Sequence, residues 1–220
     1  MTVQDISQAV EIEREAFPTS WPSTPFKRDL ANRGAHYLVA WSPRAEASPA
    51  QGTVPSQRGP EDTTPLNAAA PSLLRRLVGG INRLWPSALA NRPVDHQVLG
   101  FVGVWFMADE AHITSIAVRE AWRGRGVGEG LLLGAIELAL ARRSRVLTLE
   151  ARVSNTVAQS LYEKYGFRKV GIRRGYYTDN NEDAVLMTTD PINSLEYRRR
   201  LHQLREGYRV HHGDIIMTLS

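Results

Sequence analysis

The chain contains no cysteine. That absence excludes disulfides, thiolate metal sites and a thiol nucleophile, and it fits the cytoplasm. Lysine is scarce as well: only Lys27, Lys164 and Lys169 occur, and arginine supplies the rest of the 27 basic side chains that leave a formal charge of +4. So mild an excess suits an anionic ligand or a site near RNA, and it is equally ordinary on a solvated surface. It gives no ground for expecting direct DNA binding. Long apolar runs are missing: the most apolar helical pattern, residues 131–141, is interrupted by Glu137 and is too short to span a bilayer. The N-terminus has no basic stretch leading into an apolar core, so export is not expected. None of the six histidines falls in a His-Glu-x-x-His spacing, and His211-His212 reads as a solvated pair, so no metal is expected.

At 220 residues the chain fits one domain with embellishments. Apolar positions at near-helical spacing predict a first helix over 6–17, ended by Pro18, and a short second one to about residue 32, with Ser23 or Thr24 as its cap. Between them a loop displays Trp21, which reads equally as a plug at the core edge or as a wall of a substrate pocket. A strand follows at 36–41. From residue 42 to about 97 the composition shifts to Pro, Ser, Ala, Gly, Thr and Gln, the mark of a low-complexity insertion. Within it residues 72–85 carry Leu73, Leu74, Leu77, Val78, Ile81 and Leu84 with Arg75, Arg76 and Arg83. That pattern can form an amphipathic helix for a membrane surface or a ribosome, or one resting on its own domain. Strands are then predicted at 98–106, 112–118, 146–152, 167–172 and 184–189. Helices are predicted at 129–143, at 155–165 and, in a C-terminal extension over 191–220, from Asn193 to about 206. Glu110 reads as a turn residue.

The loop Arg123-Gly124-Arg125-Gly126-Val127-Gly128 lies between a predicted strand and the 129–143 helix. A helix N-terminus offers unpaired N–H groups and the positive end of its dipole, and glycines let a phosphate approach them. No Gly-Lys-Ser/Thr follows, and the glycine spacing is not that of a dinucleotide fold, so nucleotide hydrolysis and hydride transfer lose their support. By local physics the loop is either a phosphate cradle or a plain connection.

The ordered series Ile116-Ala117-Val118, Arg123-x-x-Gly126-x-Gly128, Leu149 to Asn155, Leu161-Tyr-Glu-Lys-Tyr-Gly-Phe167, Arg173-Arg-Gly-Tyr-Tyr177 and Glu182-Asp-Ala184 resembles the GCN5-related N-acetyltransferase superfamily. Within that superfamily it is similar to the bacterial ribosomal-protein-alanine N-acetyltransferases, and Phe17-Pro-x-x-Trp21 extends the likeness. The resemblance implies an α/β fold, a mixed sheet splayed open between two central strands with helices on both faces, spanning 1–190 apart from the insertion. Acetyl-CoA would lie in the opening. It further implies that Ile116, Ala117 and Val118 hold the acetyl and pantetheine end, that Arg123 and Gly124, Arg125, Gly126, Val127, Gly128 and Glu129 hold the pyrophosphate, and that Asn155 bonds the pantetheine arm. Glu150 would be the general base and Tyr162 the general acid. Two departures stand out: the superfamily opens on a short strand where Met1 here lies almost at the first helix, and its short turn is replaced here by the 42–97 insertion.

These roles suit the chemistry. An amine must be neutral to attack a thioester, so a carboxylate has to take its proton, and a phenol can return one to the departing thiolate. An α-amine costs about 3.5 kcal/mol less to deprotonate near neutrality than a lysine. The expected substrate is therefore a protein N-terminus, and the resemblance points to the N-terminal alanine of a small-subunit ribosomal protein. Lysine or small-molecule amines form the alternative, and a non-catalytic acetyl-CoA-binding module on the ribosome is a third reading. Tyr176, Tyr177, Glu182 and Asp183 could bind a peptide's ammonium and backbone, or form an ordinary hairpin edge.

Overall fold

The computed structural model describes residues 1–17, 23–43, 96–212 and 217–219. Trp21 and the whole of 72–85 therefore lie outside the described residues.

A 3-10 turn, Val3–Asp5, leads into helix α1 (Ile6–Ala16), and α2 (Phe26–Leu30) starts directly after Pro25. Strand β1 (Ala35–Pro43) and strand β2 (His96–Met107) pair antiparallel, and Pro43 stands opposite His96. The described strands thus break off at Pro43 and resume at His96, at the open end of a hairpin. Strand β3 (Glu110–Val118) returns along β2, and Glu110, expected in a turn, is the first residue of the strand because it pairs with Met107. After the glycine loop come α3 (Val127–Ala141), β4 (Val146–Arg152), α4 (Thr156–Lys164), β5 (Phe167–Tyr177) and β6 (Glu182–Thr189). The 173–183 segment, read as a connecting loop, is mostly strand: pairing continues out to Tyr177 and Glu182 across a tight turn. Helix α5 (Leu195–His212) runs past its expected end, and β7 (Met217–Leu219) follows it.

The seven strands lie in the order β5-β6-β4-β3-β2-β1-β7. Among the described strands only β3 and β4 are parallel neighbours, joined by α3, which gives the mixed sheet the resemblance implied. Ten of the fifteen α3 residues are buried. An apolar helix of that kind needs cover on both sides. The sheet residues Val102, Val104, Ala111, Ile113, Leu147 and Leu149 cover one side, and Tyr197, Leu201 and Tyr208 of α5 belong to the same core. On the opposite face α1 and α2 bury Ala9, Ile12 and Phe26 against Tyr37, Val39, Val98 and Phe101. Among the described residues no helix is long and apolar enough to cross a membrane.

Candidate active site

The parallel pair β3–β4 is short. It runs from Glu110 opposite Val146 to Ile113 opposite Leu149 and then stops, although β3 continues to Val118 and β4 to Arg152. At that point β3 carries a bulge: Gly103 of β2 faces Ser115, Val104 faces Ile113, and Thr114 is the extra residue. A bulge bends its strand and increases its twist, which carries β3 away from β4. Gly103 makes room for it, since a Cβ there would stand 2.6 Å from Thr114 Oγ1 and 2.8 Å from the Tyr37 ring. Beyond the bulge Ile116, Ala117 and Val118 pair with β2 on one edge only, so their other edge faces the opening without a strand partner.

The glycine loop borders this opening. Gly124 and Gly126 have φ of +70° and +81°, and Gly126 is the residue before α3. The first helix amide to find a carbonyl in this stretch is that of Gly130, which donates to Gly126 at 2.9 Å. The N–H groups of Val127, Gly128 and Glu129 thus have no partner of that kind. Arg123 is exposed, and its guanidinium donates to the carbonyls of Val118 (3.3 Å) and Glu15 (3.1 Å), so its side chain fastens the loop to β3 and α1. Arg125 lies over the Trp122 ring at 5.1 Å. The Glu129 carboxylate turns to α4, accepting from Lys164 at 2.5 Å and Tyr165 at 2.7 Å. Burial works to raise its pKa, but those two donors and the charges of Lys164 and His212 outweigh it and hold the carboxyl below the ordinary range. Asn155 caps α4 by accepting from Ala158 N at 3.1 Å, and its side-chain NH2 has no partner among the described residues.

Glu150 is the first β4 residue beyond the last β3–β4 pair. Its side chain is 10% exposed and held from two sides, by His112 Nε2 at 3.1 Å and Arg173 Nη1 at 3.1 Å. The His112 hydrogen bond, opposed by burial and aided by the charges of His112 and Arg173, keeps its carboxyl below the usual glutamate range. Tyr162 packs its ring against Phe167, centroids 5.8 Å apart, and burial pushes its phenol up to about 12. Its hydroxyl has no hydrogen-bond partner among the described residues. Tyr177 stands close enough to both to feel the charges of Tyr162 and Glu150.

The hairpin residues divide. Tyr176 and Tyr177 meet edge to face at 5.3 Å, with Arg173 over one ring and Arg152 over the other. The carboxylates of Glu182 and Asp183 are engaged by the protein itself. Glu182 accepts from Ser154 N at 2.8 Å and from Arg152 Nη1 at 3.1 Å, and Asp183 accepts from Gly175 N at 2.8 Å. Four residues that the sequence reading passed over also belong to this centre: Glu110, His112, Thr148 and Arg173. The signal for three of them was there, because 110 and 112 on β3 and 148 and 150 on β4 put polar side chains at strand period on one face of two otherwise apolar strands.

Residues 64–167 match the acetyltransferase (GNAT) family. A Bacillus subtilis protein, a candidate ribosomal protein bS18-alanine N-acetyltransferase by name, is 32% identical over 85% of this chain and 90% of its own length. The N-alpha-acetyltransferase RimI of Mycobacterium tuberculosis is 34% identical over 48% of this chain and 75% of its own. Among solved structures, the Escherichia coli ribosomal-protein-S18-alanine N-acetyltransferase aligns with 37% identity and a TM-score of 0.41, over 43% of this chain and 63% of that one.

Proposed function

Because the chain belongs to the acetyltransferase (GNAT) family, we propose that it transfers the acetyl group of acetyl-CoA to the N-terminal α-amine of a protein, the N-terminal alanine of a small-subunit ribosomal protein. The observation that carries this reading is the position of Glu150, a largely covered carboxylate at the point where β3 and β4 part. An acyl thioester entering between the strands would find the free edge of Ile116, Ala117 and Val118 on one side and Glu150 on the other. The amides of the glycine loop and of the first turn of α3 would take the pyrophosphate, with no Cβ in the way at Gly124 and Gly128, and the free NH2 of Asn155 would bond the pantetheine arm.

An ammonium that becomes an amide loses two protons. Glu150 takes the first, directly or through water, so that the nitrogen lone pair can attack the thioester carbon. The tetrahedral intermediate expels the thiolate, which is protonated by Tyr162, a phenol whose raised pKa keeps its proton in place until a strong base appears. The second amine proton reloads Tyr162, and the first leaves to water. With no cysteine in the chain, a cysteinyl acetyl-enzyme is impossible, and attack occurs in a ternary complex. Tyr176 and Tyr177, beside Glu150, would flank the incoming peptide.

The decisive experiment offers acetyl-CoA with three amines: a peptide starting with Ala and carrying the bS18 N-terminal sequence, the same peptide with its N-terminus blocked and a lysine free, and a small polyamine. Acetylation confined to the first supports the reading. Turnover only on the lysine peptide or polyamine would move the substrate class, and acetyl-CoA binding without turnover on any amine would make the chain a binding module.

A further inference from the structure

Behind Glu150, on the face of the sheet turned away from α3, four side chains form a continuous chain. Thr148 Oγ1 lies 2.5 Å from Glu110 Oε1, His112 Nδ1 lies 2.9 Å from Thr148 Oγ1, and His112 Nε2 lies 3.1 Å from Glu150 Oε2. The β-pairing builds it. His112 sits opposite Thr148 in the parallel register, Glu110 is two residues before His112, and Glu150 is two after Thr148, so all four side chains leave the same face.

We infer that Glu110, Thr148 and His112 are positioning residues that set the strength of Glu150 as a base by moving one hydrogen along this chain. The inference rests on Glu150 being the proton acceptor. A threonine hydroxyl has one hydrogen, and an imidazole has two positions for hydrogen, so the bonds can be satisfied in few ways. With Glu110 ionised, Thr148 donates to Glu110, His112 donates from Nδ1 to Thr148, and the bond to Glu150 needs the second ring hydrogen. His112 is then a cation against the Glu150 carboxylate. If the Nδ1 hydrogen passes to Thr148 while the hydrogen of Thr148 passes to Glu110, every bond is kept, His112 is neutral, and Glu110 is an acid. No proton is gained or lost. The positive charge has moved away from Glu150, whose remaining cation is Arg173 of β5. A carboxylate relieved of an adjacent cation binds a proton more tightly. Glu150 can thus rest ionised and strengthen when an ammonium is presented. Among the described residues the other titratable groups that feel its charge are Tyr176 and Tyr177 of β5, and Tyr162 of α4 stands next to Tyr177.

The test uses Thr148→Val, which keeps the shape and removes the hydroxyl, beside Thr148→Ser, which restores it, and Glu110→Gln. Acetylation rates across pH should show kcat in Thr148→Val lowered about tenfold with KM for acetyl-CoA unchanged. Thr148→Ser should return kcat toward wild type. In the free protein the ring nitrogens of His112, assigned by their loss in His112→Gln, should titrate differently by NMR in Glu110→Gln. A Thr148→Val enzyme with wild-type kcat overturns the inference, as does a serine variant as slow as the valine one. An unchanged His112 titration in Glu110→Gln overturns it whether or not the enzyme turns over. Wild-type inactivity toward every amine, with the NMR response intact, would instead overturn the acetyltransfer reading and leave the hydrogen-bonded chain standing.

Discussion

The imidazole of His212, at the end of α5, lies against the Cα of Gly126, so closely that a methyl group there would stand 2.6 Å from its Nδ1. The same helix reaches the same residue a turn earlier, where Tyr208 donates its hydroxyl to the Gly126 carbonyl at 3.2 Å. The C-terminal extension therefore braces the glycine loop, and a glycine is required at 126 for its backbone and for its neighbour.

Gly126→Ala should accordingly destabilise the folded chain by about 1–3 kcal/mol, since φ of +81° is strained for any Cβ and the imidazole must move as well. Gly128→Ala is the control: its Cβ would meet Val118 Cγ2 at 3.5 Å, an ordinary contact. Thermal melting should separate them, with the first variant melting lower and the second near wild type, so that any loss of acetyl-CoA affinity in Gly128→Ala reports the cradle alone. Equal melting temperatures would refute the bracing.

Glu150→Gln should lower kcat about 10²–10³-fold with little change in melting temperature, and Tyr162→Phe about 10²-fold. Their pH signatures differ. The Glu150 carboxyl sits below its ordinary range and the Tyr162 phenol rises to about 12, so neither group changes charge between pH 6 and 10. An acid limb of the wild-type rate inside that window that vanished in Glu150→Gln would contradict the depressed Glu150 carboxyl.

Glu182 tests the hairpin. The hydrogen bond from Ser154, reinforced by Asn180 and Arg152, lowers its carboxyl from 4.5 to about 2. A depressed carboxylate contributes stability above its unfolded pKa and loses it as pH falls through the folded one. The gap in melting temperature between wild type and Glu182→Gln should be full at pH 7 and close as pH drops from 4.5 toward 2. A gap that persists at pH 2 would place its origin elsewhere.

His96 and Asp5 form a buried hydrogen bond, Nε2 to Oδ1 at 2.8 Å, that ties the start of β2 to the start of α1. Removing the imidazole takes one buried partner from the Asp5 carboxylate, which keeps its bonds from Thr2, so His96→Ala should cost about 1–3 kcal/mol and lower the melting temperature by several degrees. Restoring packing with a paired Asp5→Leu change should recover part of that loss. If His96→Ala melts with the wild type, the pair does not anchor the hairpin.

Much of the fold was readable in the sequence because its signals are local. The apolar runs at 98–106 and 112–118, the broad apolar face of 129–143 and the helix stop at Gly166 each depend on neighbours within a few residues. The Gly124 and Gly126 backbone likewise follows from what only glycine adopts cheaply.

Long-range pairing was not readable. Whether 173–177 is loop or strand depends on Glu182 lying opposite Tyr177, and β7 exists through its pairing with Leu38, Val39 and Ala40 at an otherwise open edge. Arg123 donates to two carbonyls, and Glu182 and Asp183, which read equally as a substrate site or a hairpin edge, accept hydrogen bonds within the hairpin region, because a side chain's partner is set by what the tertiary structure brings near it.

The glycine loop and the identity of Glu150 are properties of the string of residues, since a motif keeps its spacing however the chain is folded. The splay beside them came from a single extra residue, Thr114, opposite Gly103. The chain Glu110–Thr148–His112–Glu150 came from a register. Those residues lie up to forty positions apart, and only the parallel pairing of β3 with β4, fixed by the burial of Ala111, Ile113, Leu147 and Leu149 beneath α3, turns them to one face.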